Sequence, residues 1–251
     1  MMRMTETVKV LLITNVIFFL GAQFLLPDHG SMFALYFPEN GNFRFWQVVT
    51  HMFMHDQNSI FHILFNMYAL WAFGSPVENI LGQKRFIFFY FSAGLGAALI
   101  HTAVLYFNYY GGYNALLDQG ITAPQIQSAL QEITRTGSAN FPNGIDGNAA
   151  QRMIDSYFTA AVGASGAIYG ILVAFGMMFP NMELMLIFLP IPIKAKYFIP
   201  ALILLDLFSG VTGFSLFGQN IANFAHIGGA LFGFIMIWYW KKNSFNDKRW
   251  N

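Results

Sequence analysis

Long apolar runs with almost no charge make up most of this chain, and they limit what it can fold into. A helix needs about 20 mostly apolar residues to cross a lipid bilayer. Inside a bilayer every backbone N–H and C=O group must be satisfied by the protein itself, so spanning segments are helices or closed barrels. Six runs have the composition of spanning helices, at residues 8–26, 59–75, 85–107, 158–179, 197–214 and 221–240.

The overall composition indicates the same class of protein. Hydrophobic residues make up 56% of the 251 residues and charged residues 10%, whereas soluble domains carry about 25% charged residues. We therefore predict an all-α polytopic membrane protein with six transmembrane helices. The net charge of +1 gives no sign of a nucleic-acid partner. Because the chain has no cysteine, disulfides and thiolate chemistry are excluded.

The connections between the runs differ in character. Residues 27–58 are rich in aromatic side chains, and we predict a loop partly embedded in the membrane. Residues 108–157 form the most polar stretch, which predicts an extramembrane insert with a short helix near 123–134. Residues 76–84 are predicted as a turn. Residues 180–196 contain three prolines that would break a helix, so an interfacial connector is expected there.

The positions of Lys and Arg predict the orientation, since basic residues concentrate in cytoplasmic loops. With the N-terminus inside, only three of the 13 basic residues face outside: Arg44, Arg135 and Arg152. Both termini are therefore predicted to be cytoplasmic, with the long first loop, the polar insert and a turn at 215–220 outside. A short, cysteine-free chain without a transit sequence predicts the plasma (inner) membrane of a prokaryote, with an organelle membrane as the open alternative.

Two small-residue motifs open the fourth and sixth runs. Gly163 and Gly166 flank Ser165, and His226 precedes a G-x-x-x-G pair at Gly229 and Gly233. Each motif alone is also typical of close helix packing or of a buried histidine bonded to a backbone carbonyl. The serine is not in a G-x-S-x-G elbow, because an alanine replaces the final glycine.

The two motifs gain weight together. In the six-span arrangement the fourth and sixth helices run in the same direction, which puts Ser165 and His226 at similar depth. A serine within hydrogen-bond reach of an imidazole is the core of nucleophilic catalysis. No third acidic residue is evident, so a dyad is predicted. Asp206, in the fifth span, is expected deeper than His226 or on another helix face, where a polar packing contact is its simplest interpretation.

Further polar residues predict the rest of a site. His62 and Asn66 are four residues apart, on one helical face, and could donate N–H groups to an oxyanion or pair with neighbouring helices. Tyr169, four residues after Ser165, is expected to pack against His226. His51 and His55 are weak candidates for a metal site, because no H-E-x-x-H motif occurs. No metal and no cofactor are predicted.

These motifs, in this order and spacing, resemble the rhomboid family of intramembrane serine proteases. The signature is H-x-x-x-N in the second helix, G-x-S-G with a tyrosine four residues after the serine, and A-H-x-x-G-x-x-x-G in the sixth helix. His55, Glu78 and Gly82 extend the similarity, which covers about residues 44–240.

The resemblance implies a single rhomboid-like membrane domain over residues 1–251. It implies an endopeptidase that cleaves transmembrane proteins near the extracytoplasmic membrane face, with the lipid bilayer as its other partner and no cofactor. It also implies the roles of the site residues: Ser165 as nucleophile, His226 as general base, His62, Asn66 and the Ser165 backbone N–H at the oxyanion, and Tyr169, Gly163, Gly166 and Gly229 as supporting residues. Glu78 is expected to tie the second helix to its neighbours.

Two other functions are compatible with a polytopic chain. Inactive rhomboid-like proteins bind membrane clients, but they usually lack the serine or the histidine, and both are present here. Transporters often consist of two related halves with broken helices, and no internal repeat is visible in this sequence.

Overall fold

The fold is described by a computed structural model over residues 3–139, 145–186, 189–214 and 223–243. Within them ten α-helices follow one another: α1 Glu6–Phe24, α2 Gln47–Thr50, α3 Ile60–Ala69, α4 Ser75–Leu81, α5 Gln83–Asp118, α6 Ala123–Thr136, α7 Gly147–Phe158, α8 Ser165–Met178, α9 Ala195–Thr212 and α10 Asn223–Asn243. The short strands are β1 Leu35–Tyr36, β2 Ala160–Ala161, β3 Glu183–Leu186 and β4 Leu189–Lys194. The predicted turn at 215–220 lies outside the described residues.

Four helical stretches of the described residues are long and apolar enough to cross a membrane: Glu6–Phe24, Ile60–Leu81, Gln83–Asp118 and Ala195–Thr212. They match the first, second, third and fifth predicted spans, so a helical polytopic protein is confirmed. At the fourth, α8 has 14 residues, about 21 Å at 1.5 Å per residue, against about 30 Å of hydrocarbon. At the sixth, α10 has 21 residues and carries Lys241 and Lys242 in its last turn. Six spans remain a prediction.

The second span extends beyond its predicted end at residue 75. A π-helical turn, Leu70–Gly74, joins α3 to α4, and the helical backbone continues to Leu81. Pro76 follows this π-helical turn, and the wider turn lets the helical backbone pass a residue that has no N–H to donate. The predicted turn at 76–84 is therefore reduced to Gly82, whose φ of 75° ends the helix.

Glu78 holds the beginning of α1. Its carboxylate is 6% exposed. It accepts hydrogen bonds from the Thr5 hydroxyl at 2.5 Å and from the backbone N–H groups of Thr7 and Val8 at 3.2 and 3.1 Å. These are first-turn donors that have no partner within the helix. The buried carboxylate thus ties the second span to the first, as expected from the sequence.

The described residues divide into two compact units. Unit 1 contains 1–35, 45–101 and 161–251, and unit 2 contains 36–44 and 102–160. In unit 1 the central element is α8, of which nine of 14 residues are buried. The division of the chain into a single domain with an insert at 108–157 stays a prediction.

Unit 2 has a core of its own. Most of its buried residues come from the second half of α5, from α6 and from α7, with one from the first loop and one from the connection between α5 and α6: Leu105, Tyr109, Leu116, Ile126, Leu130, Ala150 and Met153, then Phe37 and Ile121. The predicted helix near 123–134 is α6, which begins with a Thr122–Gln125 capping box and ends at the left-handed Gly137. The sequence analysis missed α7, although Asp146 caps it by accepting from Asn148 N–H at 2.9 Å.

The connector predicted at 180–196 is a β-hairpin. β3 and β4 pair antiparallel, with Glu183 opposite Lys194 and Leu184 opposite Ile193. Pro180 follows the end of α8, whereas the two prolines in β4 do not prevent pairing, because a two-stranded ribbon has open edges that need no N–H donor.

Candidate active site

Helices α8 and α10 touch through their backbones. A Cβ added to Gly229 would overlap the carbonyl oxygen of Gly166, and one added to Gly233 would lie 2.6 Å from the Cα of Gly170. The two glycine pairs follow the same order along both helices, so the helices are parallel. Small residues allow this approach, and it brings the N-terminal ends of α8 and α10 together.

Ser165 and His226 meet at those ends. Ser165 is the first residue of α8, and His226 is in the first turn of α10. The serine Oγ lies 2.9 Å from the imidazole Nε2. This is a normal hydrogen-bond distance, and the pair has the arrangement of a nucleophile and its base.

Tyr169 holds the plane of the imidazole. Its ring stacks on that of His226, with centroids 4.2 Å apart and planes 8° from parallel. The position arises because Tyr169 is one helical turn after Ser165, on the same face of α8. The expected contact between the two rings is present.

Asp206 is the residue whose placement the sequence analysis got wrong. It was expected deeper than His226 or on another face, but its Oδ2 lies 3.3 Å from the His226 Nδ1. The two side chains are 13% and 12% exposed. One signal was available: a carboxylate within a membrane span is costly and usually functional.

Gly163 shapes the space in front of the serine. Its φ of 126° is strained for any side chain, and its N–H donates to the His51 carbonyl at 2.9 Å. A Cβ there would lie 3.1 Å from His62 Nε2 and 3.4 Å from Ser165 Oγ. Because glycine has no Cβ, a gap of atomic size remains between the Ser165 hydroxyl and the His62 imidazole.

The His62 ring has a defined tautomer. Its Nδ1 accepts the backbone N–H of Asp56 at 3.1 Å. The proton of a neutral ring is therefore on Nε2, the atom beside Gly163. Asn66 donates one N–H to the His62 carbonyl at 2.7 Å, which leaves its second N–H for another acceptor.

His51 and His55 are buried parts of the first loop. The His51 Nδ1 lies 2.8 Å from the Gln47 carbonyl, and the His55 ring packs edge-on against His62 at 5.2 Å. Burial lowers the pKa of His51 to about 4 and that of His55 to about 3. The described residues contain no group of three His, Cys, Asp or Glu side chains that could hold a metal ion.

A family model described as the Rhomboid domain matches residues 42–117 and 127–243. The chain is 30% identical over 182 residues to the presenilin-associated rhomboid-like protein, mitochondrial, of Homo sapiens, and 29% identical over 182 residues to that of Mus musculus. Each match covers 72% of this chain and 34% of the relative. Rhomboid protein 1, mitochondrial, of Saccharomyces cerevisiae is 23% identical over 195 residues, 78% of this chain and 42% of the relative.

The chain thus spans about a third of the length of the mammalian relatives that it matches. All three relatives are mitochondrial by name. They overturn the predicted location in a prokaryotic plasma membrane, which rested on chain length, lack of cysteine and the absence of a transit sequence. None of these features reports the compartment directly.

Proposed function

Because the chain belongs to the rhomboid family, whose members are intramembrane proteases, we propose that it is a serine endopeptidase that cleaves transmembrane proteins with Ser165 as nucleophile and His226 as base. The observation that carries this proposal is the 2.9 Å contact between the Ser165 Oγ and the His226 Nε2. For location, the relatives point to a mitochondrial membrane.

In the proposed reaction, His226 takes the hydroxyl proton as Ser165 attacks the carbonyl carbon of the scissile bond. The acyl-enzyme forms when the protonated imidazole returns that proton to the leaving amine. A water then attacks the acyl-enzyme by the same route and releases the serine. No cofactor or metal takes part in these steps.

The proposed oxyanion site is the gap at Gly163. His62 can donate from Nε2, because the Asp56 N–H occupies Nδ1. The Ser165 backbone N–H is at the N-terminus of α8, where the first four N–H groups lack helical acceptors. Asn66 adds its second N–H. Each donor of this kind typically lowers the barrier by about 3–4 kcal/mol.

Water must reach this site for the acyl-enzyme to be hydrolysed. A small cavity of about 10 Å³ is lined by Ser165, Gly163, Gly166 and His51 among others, and about that volume holds the centre of one water molecule. This supports a site that can be wetted although it is built from apolar helices.

We also propose that α8 and α10 complete a six-span bundle with a partly embedded first loop. α8 is short, but nine of its 14 residues are buried and the other five are half-buried, so protein rather than lipid surrounds most of it. In this arrangement the scissile bond lies near the membrane face at which α8 and α10 begin.

The test is cleavage of a model transmembrane substrate by detergent-purified protein, beside Ser165→Ala and His226→Ala. We expect no cleavage by either variant, with thermal unfolding in detergent unchanged. Cleavage by the Ser165→Ala protein would refute the mechanism. If the wild-type protein cleaves nothing, labelling by a fluorophosphonate decides: a labelled Ser165 supports an enzyme offered the wrong substrate, and an unlabelled one supports a client-binding protein.

A further inference from the structure

A carboxylate of the fifth predicted span, that of Asp206, lies next to the proposed base. Asp206 is on α9, and among the described residues its one ion-pair partner is His226. A carboxylate that is 13% exposed in a membrane span is expensive unless it is paired. The sequence around it is apolar, so helix packing alone would favour an apolar residue at this position.

The hydrogen bonds of His226 are linked through its tautomer. A neutral imidazole carries one N–H, so one nitrogen donates and the other accepts. For Nε2 to accept the Ser165 proton, Nδ1 must carry the hydrogen and needs an acceptor. Within the described residues the acceptor at Nδ1 is the Asp206 Oδ2, 3.3 Å away.

We propose that Asp206 is a positioning residue for His226, whose carboxylate accepts the Nδ1–H and keeps Nε2 free to accept the Ser165 proton. This inference rests on the proposed function and turns the predicted dyad into a triad. Asp206 takes no proton in this role: the proton moves from Ser165 to Nε2 and then to the leaving amine, and the carboxylate stabilises the imidazolium in between. Apo sites often have long catalytic hydrogen bonds, which fits the 3.3 Å distance.

Of the described groups around the His226 ring, Asp206 is the one that can accept the Nδ1–H with a negative charge. In the part of the chain that the structure describes, the other titratable groups that act on His226 are Tyr169 from α8, His62 from α3 and His101 from α5. Tyr169 stacks on the face of the His226 ring. The two histidines are either neutral or, when protonated, positively charged like the His226 imidazolium. None offers a negative charge. The Tyr169 side chain also interacts with Asp206. The tyrosine ring and the carboxylate therefore act jointly to fix the position of the His226 imidazole.

The decisive comparison is Asp206→Asn against Asp206→Ala. Asn is nearly isosteric, but its N–H₂ donates to Nδ1 and forces the hydrogen onto Nε2, where the serine proton can no longer be accepted. A positioning role predicts that kcat falls by about 10³–10⁴ in Asp206→Asn and by less in Asp206→Ala, with KM unchanged. A packing role predicts the reverse order, because Asn fills the space and Ala does not.

Two further readouts separate positioning from structure. Removal of the negative charge disfavours the protonated ring, so the acid limb of the pH–rate profile should move to lower pH in Asp206→Ala. Leu204→Ala, on the exposed face of the same helix (63% exposed), is the control and should change neither kcat nor the profile. Asn retaining more activity than Ala, or an unmoved acid limb in Asp206→Ala, would overturn the inference while leaving the Ser165 chemistry intact.

A measurement on the unaltered protein covers the case in which the variants do not fold. The ¹⁵N chemical shifts of the His226 ring identify the protonated nitrogen. We expect the hydrogen on Nδ1, and a hydrogen on Nε2 would refute the proposed role. Failure of the proposed function looks different, because Ser165 would then resist a fluorophosphonate in the wild-type protein as well.

Discussion

Helices α8 and α9 bring their residues to His226 from very different packing environments. In α8 nine of 14 residues are buried, and its glycines lie against the α10 backbone. In α9 only three of 18 residues are buried, Ala195, Ile199 and Ser209. Its contact with α10 includes the ring of Phe224, which lies 3.0 Å from where a Cβ of Gly210 would be.

This difference separates a fixed contact from an adjustable one. The Ser165–His226 distance of 2.9 Å follows from two backbones in contact, which cannot shift without overlap. The Asp206–His226 distance of 3.3 Å depends on a helix held mainly by side chains. Packed interfaces resist deformation, so changes at α8 should cost more than matched changes at α9.

The largest expected effect is on catalysis, from Gly163→Ala. The added methyl group would occupy the gap 3.1 Å from His62 Nε2, so the cleavage rate should fall by about 10²–10³, the usual cost of losing an oxyanion donor. The control is Gly213→Ala at the end of α9, which also has positive φ, 73°, but open space around it. Equal losses in both variants would show that backbone strain, not the site, is responsible.

Gly229→Ala should be the most destabilising change at the α8–α10 contact. Its Cβ would meet backbone atoms of Gly166 that cannot rotate away, and overpacking of this kind costs about 3 kcal/mol. Gly21→Ala, within α1 and with nothing within 4 Å, should instead stabilise by about 0.5–1 kcal/mol. Unfolding in a denaturing detergent titration measures both, and an unchanged midpoint for Gly229→Ala would contradict the close contact.

A matched pair of truncations compares the two helices directly. Ile171 on α8 is 0% exposed and Leu204 on α9 is 63% exposed. Ile171→Ala leaves a cavity and should cost about 2 kcal/mol, near the low end for such changes, because lipid is as apolar as the core. Leu204→Ala should have almost no effect. Similar losses would mean that α9 is as firmly packed as α8.

The smallest effect, taken per pH unit, concerns the loop whose His51 carbonyl holds Gly163. The folded-state pKa of His51 is about 4, below its ordinary 6.5. The unfolded chain therefore binds a proton first, and stability should fall as the pH drops from 6.5 towards 4, by at most about 1.4 kcal/mol per pH unit. Above pH 6.5 both states are neutral and no change is expected. His51→Gln should reduce this slope, and an unaltered slope would assign it to other groups.

Local patterns were enough to predict much of the molecule. Apolar runs located the helices because bilayer thickness demands a minimum length, and the short helix predicted near 123–134 is α6. Boundaries were less accurate. The second span continues through Pro76, which follows a π-helical turn, and α5 extends to Asp118, eleven residues past the predicted end at 107. The polar sequence there is packed within unit 2 rather than left as a loop.

By itself the sequence determined the family, the helical class and the identity of the paired residues, because small-residue motifs and intramembrane polar groups are recognisable without neighbours. Only the tertiary structure decided that Asp206 reaches His226 and that the Asp56 N–H leaves the proton of His62 on Nε2. The physical reason is that the rotation and depth of α9, and the path of the loop before α3, depend on contacts between segments distant in the chain. Hydropathy along a single helix contains no information about them.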